Sequence, residues 1–278
     1  MSPMRSPNRP ILTSLANPRI KAALALRERR DRDRTGRTVV DGAREVRRAI
    51  DAGAVVEEVF ICEPLLGGDD ARVALDRLRT SSTTIESVSE TVFARLAFGD
   101  RAEGIVAVVR IPSLDLARLV LPAEPLVIVI EGVEKPGNVG AVLRSVDGAG
   151  ADALVAADAR TDLFNPNAIR ASAGTIFGVP LAAAATTEVL PWLGEQGLRI
   201  VTARADAERV YTDADLTGPL AIALGAEAEG LSASWAGPGF EAVRLPMFGV
   251  ADSLNISVSA AILLYEARRQ RGPSAGTM

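Results

Sequence analysis

The apolar positions of this chain alternate between helical spacing and short unbroken runs. Asn17-Pro18 predicts a helix start, with Asn as cap and Pro in the first turn, and Ile20, Ala23, Leu24 and Leu26 follow at helical intervals. A polar run at 27–34 (RERRDRDR) then reads as a solvated helix end or a phosphate contact. Residues 38–40 predict a short strand, 42–52 a helix closed by Gly53, and 55–62 (VVEEVFIC) a strand. Residues 71–80 and 90–97 read as helices, and 104–111 (GIVAVVRI) as a strand buried on both faces. Residues 11–111 therefore predict a small N-terminal α/β domain.

Pro112, Pro122 and Pro125 mark 112–125 as a linker. A second texture begins beyond it. Residues 126–130 (LVIVI) have the continuous apolar character of a central parallel strand. A Gly-rich loop, a helix over about 139–148 and a strand at 153–156 follow, then a helix opened by Asn165-Pro166. Strands are predicted at 198–203, 220–224 and 243–245, and a long helix over 254–271 carries Val258, Ala261, Ile262 and Tyr265 along one side. Strands alternating with helices give an α/β domain over 126–272 with a mostly parallel sheet. In such sheets ligands bind beyond the carboxyl ends of the strands, so the loops there are the places to look for chemistry.

Composition narrows that chemistry. The chain has 278 residues, 48% hydrophobic and 24% charged. That is the balance of a folded protein long enough to bury its own core. The chain has no histidine, which excludes Ser-His-Asp triads and histidine bases. With only one cysteine, Cys62, neither a disulfide framework nor a metal site is expected. No apolar run is long enough to span a bilayer, which takes about 20 residues of helix. The Pro- and Ser-rich stretch at 1–10 reads as loose and lacks the apolar segment of a signal peptide, so a cytoplasmic location is expected. The net charge of −4 conceals an asymmetry. The first 50 residues carry 12 Arg and Lys21 against five acids, a charge of +8, which leaves −12 for the remainder. Arginines outnumber lysines 29 to 2. A basic arm rich in Arg suits RNA phosphates and bases, and equally suits a solvated helix in an Arg-rich proteome.

Three loops hold the candidate chemistry. The first, 131–144 (EGVEKPGNVGAVLR), follows a buried strand and opens a helix; it matches neither a Walker loop nor GxGxxG. Asn138 and Arg144 stand six apart there, as site residues or as a helix cap and a surface Arg. The second, 224–230 (LGAEAEG), places Gly225 and Glu227 at a strand end, either at a ligand or in a plain turn with acids at a helix start. In the third, 245–259, Ser253, Asn255, Ser257 and Ser259 open a long helix. Ser253 can be its cap; Asn255 inside a first turn is harder to account for by helix formation alone.

Taken together, these loops resemble the SpoU (TrmH) family of RNA 2′-O-ribose methyltransferases in the SPOUT superfamily. The likeness rests on Asn138-x-Gly140-x-x-x-Arg144, Gly225-x-Glu227-x-x-Gly230, and Leu245-Pro-Met247 with 252–258 (DSLNISV), in the family's order and spacing. Residues 165–174 (NPNAIRASAG) resemble the family's intervening helix. Residues 13–21 and 104–108 resemble the substrate-binding domain of its ribosomal-RNA branch, which includes antibiotic-resistance enzymes; Val40-Asp41-Gly42 departs from the more usual Glu-Gly.

The resemblance implies a parallel sheet closed by a C-terminal trefoil knot, a small N-terminal α/β RNA-binding domain, and a homodimer with active sites built from both subunits. It implies S-adenosylmethionine as cofactor, contacted by Gly225, Leu245 and Leu254, with Thr202 a weaker candidate beside the adenine. Arg144 would serve as proton acceptor or stabilise a developing alkoxide, and Asn138 would shape the pocket and orient it. Glu227 would fix a neighbouring Asn or Arg, and Ser253 and Asn255 would hold the knot loop and the ribose or phosphate. The expected activity is methyl transfer to a ribose 2′-hydroxyl of ribosomal RNA, of the large subunit, either as routine modification or as protection against a ribosome-directed antibiotic. Alternatives are a non-catalytic RNA-binding or ribosome-assembly protein on this scaffold, and an unrelated nucleotide-dependent α/β enzyme, for which a phosphate motif is missing.

Overall fold

The computed structural model describes residues 10–98 and 103–272. The stretch read as loose at 1–10 lies outside the described residues but for Pro10. By internal contacts the chain divides into two units, one reaching to Pro112 and including Phe164–Gly178, the other comprising Ser113–Leu163 and Val179 onward.

The first unit runs α1 (Pro18–Ala25), α2 (Arg29–Thr35), β1 (Arg37–Asp41), α3 (Ala43–Asp51), β2 (Val56–Ile61), α4 (Gly68–Arg79), β3 (Thr84–Ser87), α5 (Glu90–Leu96) and β4 (Ile105–Arg110). Asn17 caps α1 by accepting the Arg19 N–H at 2.9 Å. The sheet order is β1-β4-β2-β3, with β4 antiparallel to both neighbours and β3 parallel to β2. Ile20, Ala23 and Leu26 from the first helical segment, and Val92, Phe93 and Leu96 from α5, close a core over Val39, Phe60, Cys62, Val106 and Val108. Cys62 is thus a small core residue.

The polar run at 27–34 is only partly a solvent face. Arg32 is buried and donates to the Leu26 and Arg27 carbonyls, both at 2.7 Å. Arg27 donates to the Arg95 and Ala97 carbonyls and lies 4.5 Å over the Phe98 ring, close enough for a cation–π attraction. These two side chains hold the turn into α2, whereas Arg29, Arg30 and Arg34 are exposed.

The other elements are β5 (Leu126–Glu131), α6 (Pro136–Ala149), β6 (Ala153–Ala157), α7 (Pro166–Ala171), β7 (Leu181–Ala184), α8 (Thr186–Glu195), β8 (Arg199–Ala203), β9 (Arg209–Val210), β10 (Leu220–Leu224), β11 (Phe240–Arg244) and α9 (Ile256–Arg271). Helix α7, capped by Asn165 as its Asn-Pro start predicts, packs on β1 and so belongs to the first unit. Thr38 Oγ1 donates to the Phe164 carbonyl at 2.7 Å and Arg48 to the Ala173 carbonyl at 2.9 Å. A linear division at 112–125 does not anticipate this return of the chain.

The seven strands of the second unit lie in the order β7-β6-β5-β10-β8-β11-β9, every pairing parallel. All residues of β5, β6 and β10 are buried, as two-sided coverage requires. One face is covered by Val189 and Leu193 of α8, by Trp235 and by Leu116, Leu119 and Leu121. The stretch read as a linker is therefore partly core: its leucines pack on the sheet, and its Leu114 carbonyl accepts the Ala183 N–H at 2.8 Å. Helices α6 and α9 pack on one another, α6 against β6 and α9 against β10. Within α9 the buried side is Ile256, Ala260, Leu263, Leu264 and Ala267, while Val258 and Tyr265 are exposed. Sequence order reverses between β5 and β10, which makes their carboxyl ends the switch point of the sheet.

Candidate active site

The three loops singled out by sequence meet at that switch point. The loop after β5 leads into α6 with Lys135 as its N-cap residue and Pro136 in the first turn. Asn138 is thus inside the first turn rather than the cap, and its side chain is free to reach across. Beyond β10, residues 225–230 form a tight turn in which the Gly230 N–H donates to the Ala226 carbonyl at 2.9 Å. A Cβ on Gly225 would collide with the Gly230 carbonyl and the Leu231 nitrogen, so only glycine fits. This turn carries Glu227 toward α6. The cap of α9 is Asn255, not Ser253. Its Oδ1 accepts the Ser257 N–H at 2.9 Å and the Ser257 hydroxyl at 2.6 Å.

The side chains form one network. Glu227 Oε1 accepts from Asn138 Nδ2 at 2.8 Å and from Asn255 Nδ2 at 2.6 Å. Asn255 Nδ2 also donates to Asn138 Oδ1 at 3.2 Å. Glu227 Oε2 accepts from Lys135 Nζ at 2.7 Å. Lys135 and the Asn138 amide outweigh partial burial and hold the Glu227 carboxyl below its ordinary range. The carboxylate also lies at the amino ends of α6 and α9, where helix dipoles favour negative charge.

Two cavities flank the network. The larger, about 580 Å³, is lined by Gly225 and Leu231 of the β10 loop, by Ala203 and Arg204 after β8, and by Leu245, Met247, Ser253 and Leu254. The smaller, about 140 Å³, is bordered by Lys135, Asn138, Arg160, Glu227 and Glu229. Arg160 bridges Glu134 at 3.0 Å and Glu229 at 2.9 Å. No group of three or more His, Cys, Asp or Glu side chains suited to a metal ion occurs among the described residues.

Of the residues expected from sequence, Asn138, Glu227 and Asn255 are hydrogen-bonded together, and Gly225, Leu245, Ser253 and Leu254 border the larger cavity. Thr202 does not reach it. Strand alternation turns its fully buried side chain to the opposite face, in register with Ala223, and its neighbour Ala203 lines the cavity instead. Arg144 is exposed on α6 and borders neither cavity. Sequence reasoning missed Lys135, Arg160, Ala203 and Arg204, and it named Met247 in its motif without giving it a role. The strand-end rule points to Ala203 and Arg204 once β8 is recognised; nothing local marks Arg160.

Comparison with known proteins bears on this arrangement. Residues 125–265 match the model of the SpoU rRNA Methylase family, and residues 17–107 match an MRM3-like substrate binding domain. The chain is 32% identical to a 23S rRNA (uridine(2479)-2′-O)-methyltransferase from Streptomyces viridochromogenes, over 88% of this chain and 87% of that one. A crystal structure of an RNA 2′-O ribose methyltransferase superposes with a TM-score of 0.83 at 42% identity, covering 94% of this chain and 99% of the other. An AdoMet-bound rRNA methyltransferase from Sinorhizobium meliloti superposes with a TM-score of 0.84 at 27% identity, covering 94% and 97%. With matching models over both parts of its length and a carboxylate–amide network where the family motifs converge, the chain belongs to the SpoU rRNA methylase family.

Proposed function

We propose that this protein transfers a methyl group from S-adenosylmethionine to a ribose 2′-hydroxyl of ribosomal RNA, of the large subunit, in the cytoplasm. The observation that carries the reading is the joining of Asn138, Glu227 and Asn255 beside the larger cavity in a member of this family. That cavity is within the roughly 300–1,000 Å³ usual for small-molecule sites. Its lining suits the cofactor: Leu245, Met247 and Leu254 offer apolar surface, and the turn at Gly225 brings backbone groups close.

The bound cofactor supplies an electrophilic methyl on a sulfonium. The protein must then position the 2′-hydroxyl and handle its proton. Asn138 and Asn255, aimed by Glu227, shape the ribose pocket. Arg144 meets the hydroxyl, either receiving its proton or stabilising the alkoxide that develops. An acid limb in the rate profile that disappears in Arg144→Lys favours the first role; a pH-independent loss in that variant favours the second.

We further infer a homodimer in which Arg144 serves its partner's site, together with the family's trefoil knot in the C-terminal segment. Six residues of helix turn Arg144 about 120° away from Asn138 and move it about 9 Å along α6. Gly148 lies one turn beyond Arg144 on the same stripe, and a Cβ there would come 3.1 Å from the Tyr265 hydroxyl. Arg144 therefore shares a surface with Tyr265, which is 55% exposed on α9. The test is complementation. Arg144→Ala and Asn138→Ala, each inactive alone, are refolded together; restoration of roughly a quarter of wild-type activity supports shared sites, since half the dimers are mixed and each holds one intact site. No restoration with dimer exchange confirmed refutes it. Whether the methyl group protects against a drug is read from the antibiotic sensitivity of a strain lacking the protein.

A further inference from the structure

We propose that Lys135 is a positioning residue for methyl transfer: by donating to Glu227 it fixes the carboxylate that aims Asn138 and Asn255. The inference rests on the methyltransferase reading of this site. Its basis is the way the bonds are divided. Glu227 has two oxygens; Oε1 takes both asparagine amides, and Oε2 takes Lys135 Nζ at 2.7 Å. Without Lys135, Oε2 has no bonded donor among the described residues, and the carboxylate can rotate about its last side-chain bond. Both asparagines would then lose their common anchor.

The other charges at the smaller cavity cannot replace it. Arg160 is already bonded to both Glu134 and Glu229. The first turn of α9 contains no charged residue, and α6 brings no acid in its own first turn. Among the described residues, the charges beside Glu227 at the smaller cavity are Lys135, Glu134, Arg160 and Glu229, the larger cavity adds Arg204, Asp206 and Asp252, and only Lys135 bonds to it. Its backbone is also fixed. Lys135 precedes Pro136, which confines it to an extended conformation, and its φ of −92° and ψ of 118° lie there. The side chain thus leaves the chain from a set point at the amino end of α6. An exposed ion pair of this kind contributes little to stability, so its effect should be read in catalysis.

The test compares wild type, Lys135→Met, Lys135→Arg and Glu227→Gln. The assay uses tritiated S-adenosylmethionine and deproteinised ribosomal RNA from cells lacking the protein. Lys135→Met should lower kcat about tenfold, because small misplacements of reacting groups have large effects on rate. KM for RNA, its salt dependence and cofactor affinity should stay within about twofold, and Lys135→Arg should recover most of the rate. Carbon-13 labelling of glutamate carboxyls supplies a readout that needs no RNA: the resonance absent from Glu227→Gln should titrate at higher pH in Lys135→Met. An unchanged kcat, or an unmoved Glu227 titration, overturns the proposal. So does a loss confined to KM with the salt slope reduced by about one, which marks a phosphate contact instead. Wild type that transfers no methyl refutes the underlying reading and this inference with it; active wild type with equally active Lys135→Met refutes this inference alone.

Discussion

Substituting Gly225 with alanine isolates the contribution of the turn that shapes the cofactor cavity. The added Cβ would lie well under 3.0 Å from the Gly230 carbonyl carbon, from its oxygen and from the Leu231 nitrogen. All three are backbone atoms, so no side chain can rotate aside. Ordinary van der Waals spacing is regained only if residues 230–231 move outward by about 1 Å or more. Such a shift breaks the bond from the Gly230 N–H to the Ala226 carbonyl. Overpacking of this kind costs about 1–3 kcal/mol, and three backbone contacts place this site near the top of that range. If the strain falls on the cavity wall, cofactor affinity falls about 100-fold. If it falls on folding, the melting temperature drops by about 5–10 °C. Gly230→Ala is the control: its Cβ meets nothing within 4 Å, and only its φ of +67° opposes the change. That conformation costs a non-glycine residue about 1–2 kcal/mol. Titration calorimetry with S-adenosylmethionine and thermal melts of both variants give the two quantities. Gly225→Ala with wild-type affinity and wild-type melting temperature would refute the account of this turn.

Other expectations follow from individual contacts. Arg144→Ala should abolish methyl transfer with cofactor affinity within about twofold of wild type, measured by calorimetry alongside the transfer assay. Replacing Arg29, Arg30 and Arg34 with Gln should weaken RNA binding and flatten its salt dependence. Arg32→Ala, by contrast, strips the buried Leu26 carbonyl and the partly buried Arg27 carbonyl of their donor and should destabilise the fold by about 2–3 kcal/mol in urea titrations. Burial raises the Asp41 carboxyl from 3.8 to about 6, outweighing its bond from the Phe98 N–H. A carboxyl raised on folding keeps its proton longer in the native state, so stability declines as pH rises from about 4 to 6; Asp41→Asn should remove that decline, about 2 kcal/mol by urea denaturation across the interval, and equal slopes in both proteins would contradict this.

Much of the fold is written in local patterns. The runs at 126–130 and 220–224 are buried on both faces in the structure, and Asn-Pro at 17–18 and 165–166 starts helices as expected. What failed to show locally was short or set by distant contacts. Strand β7 (LAAA) is too small and too alanine-rich to declare itself, and α8 carries Pro191 within it. The apolar side read in the last helix is exposed at Val258 and Tyr265 and only half-buried at Ala261 and Ile262, because α6 and β10 cover the face carrying Ala260, Leu264 and Ala267. Attachment of residues 164–178 to the first unit depends on Thr38 and Arg48, which lie 126 and 125 residues before their partners. At the site, Asn138, Glu227 and Asn255 were readable because the motif spacing retains them. Lys135 has no periodic pattern to mark it; its meaning comes only from the carboxylate across the loop.

Methyl transfer to one ribose of ribosomal RNA is the central claim, and mapping the product tests it most directly. Deproteinised ribosomal RNA from cells lacking the protein is incubated with S-adenosylmethionine and either wild type or Arg144→Ala. Reverse transcription at limiting nucleotide concentration then locates 2′-O-methylated positions. The account predicts one new stop in large-subunit RNA with wild type and none with Arg144→Ala. No stop in free RNA or in intact subunits, with cofactor binding confirmed, would contradict it and favour a non-catalytic RNA-binding role.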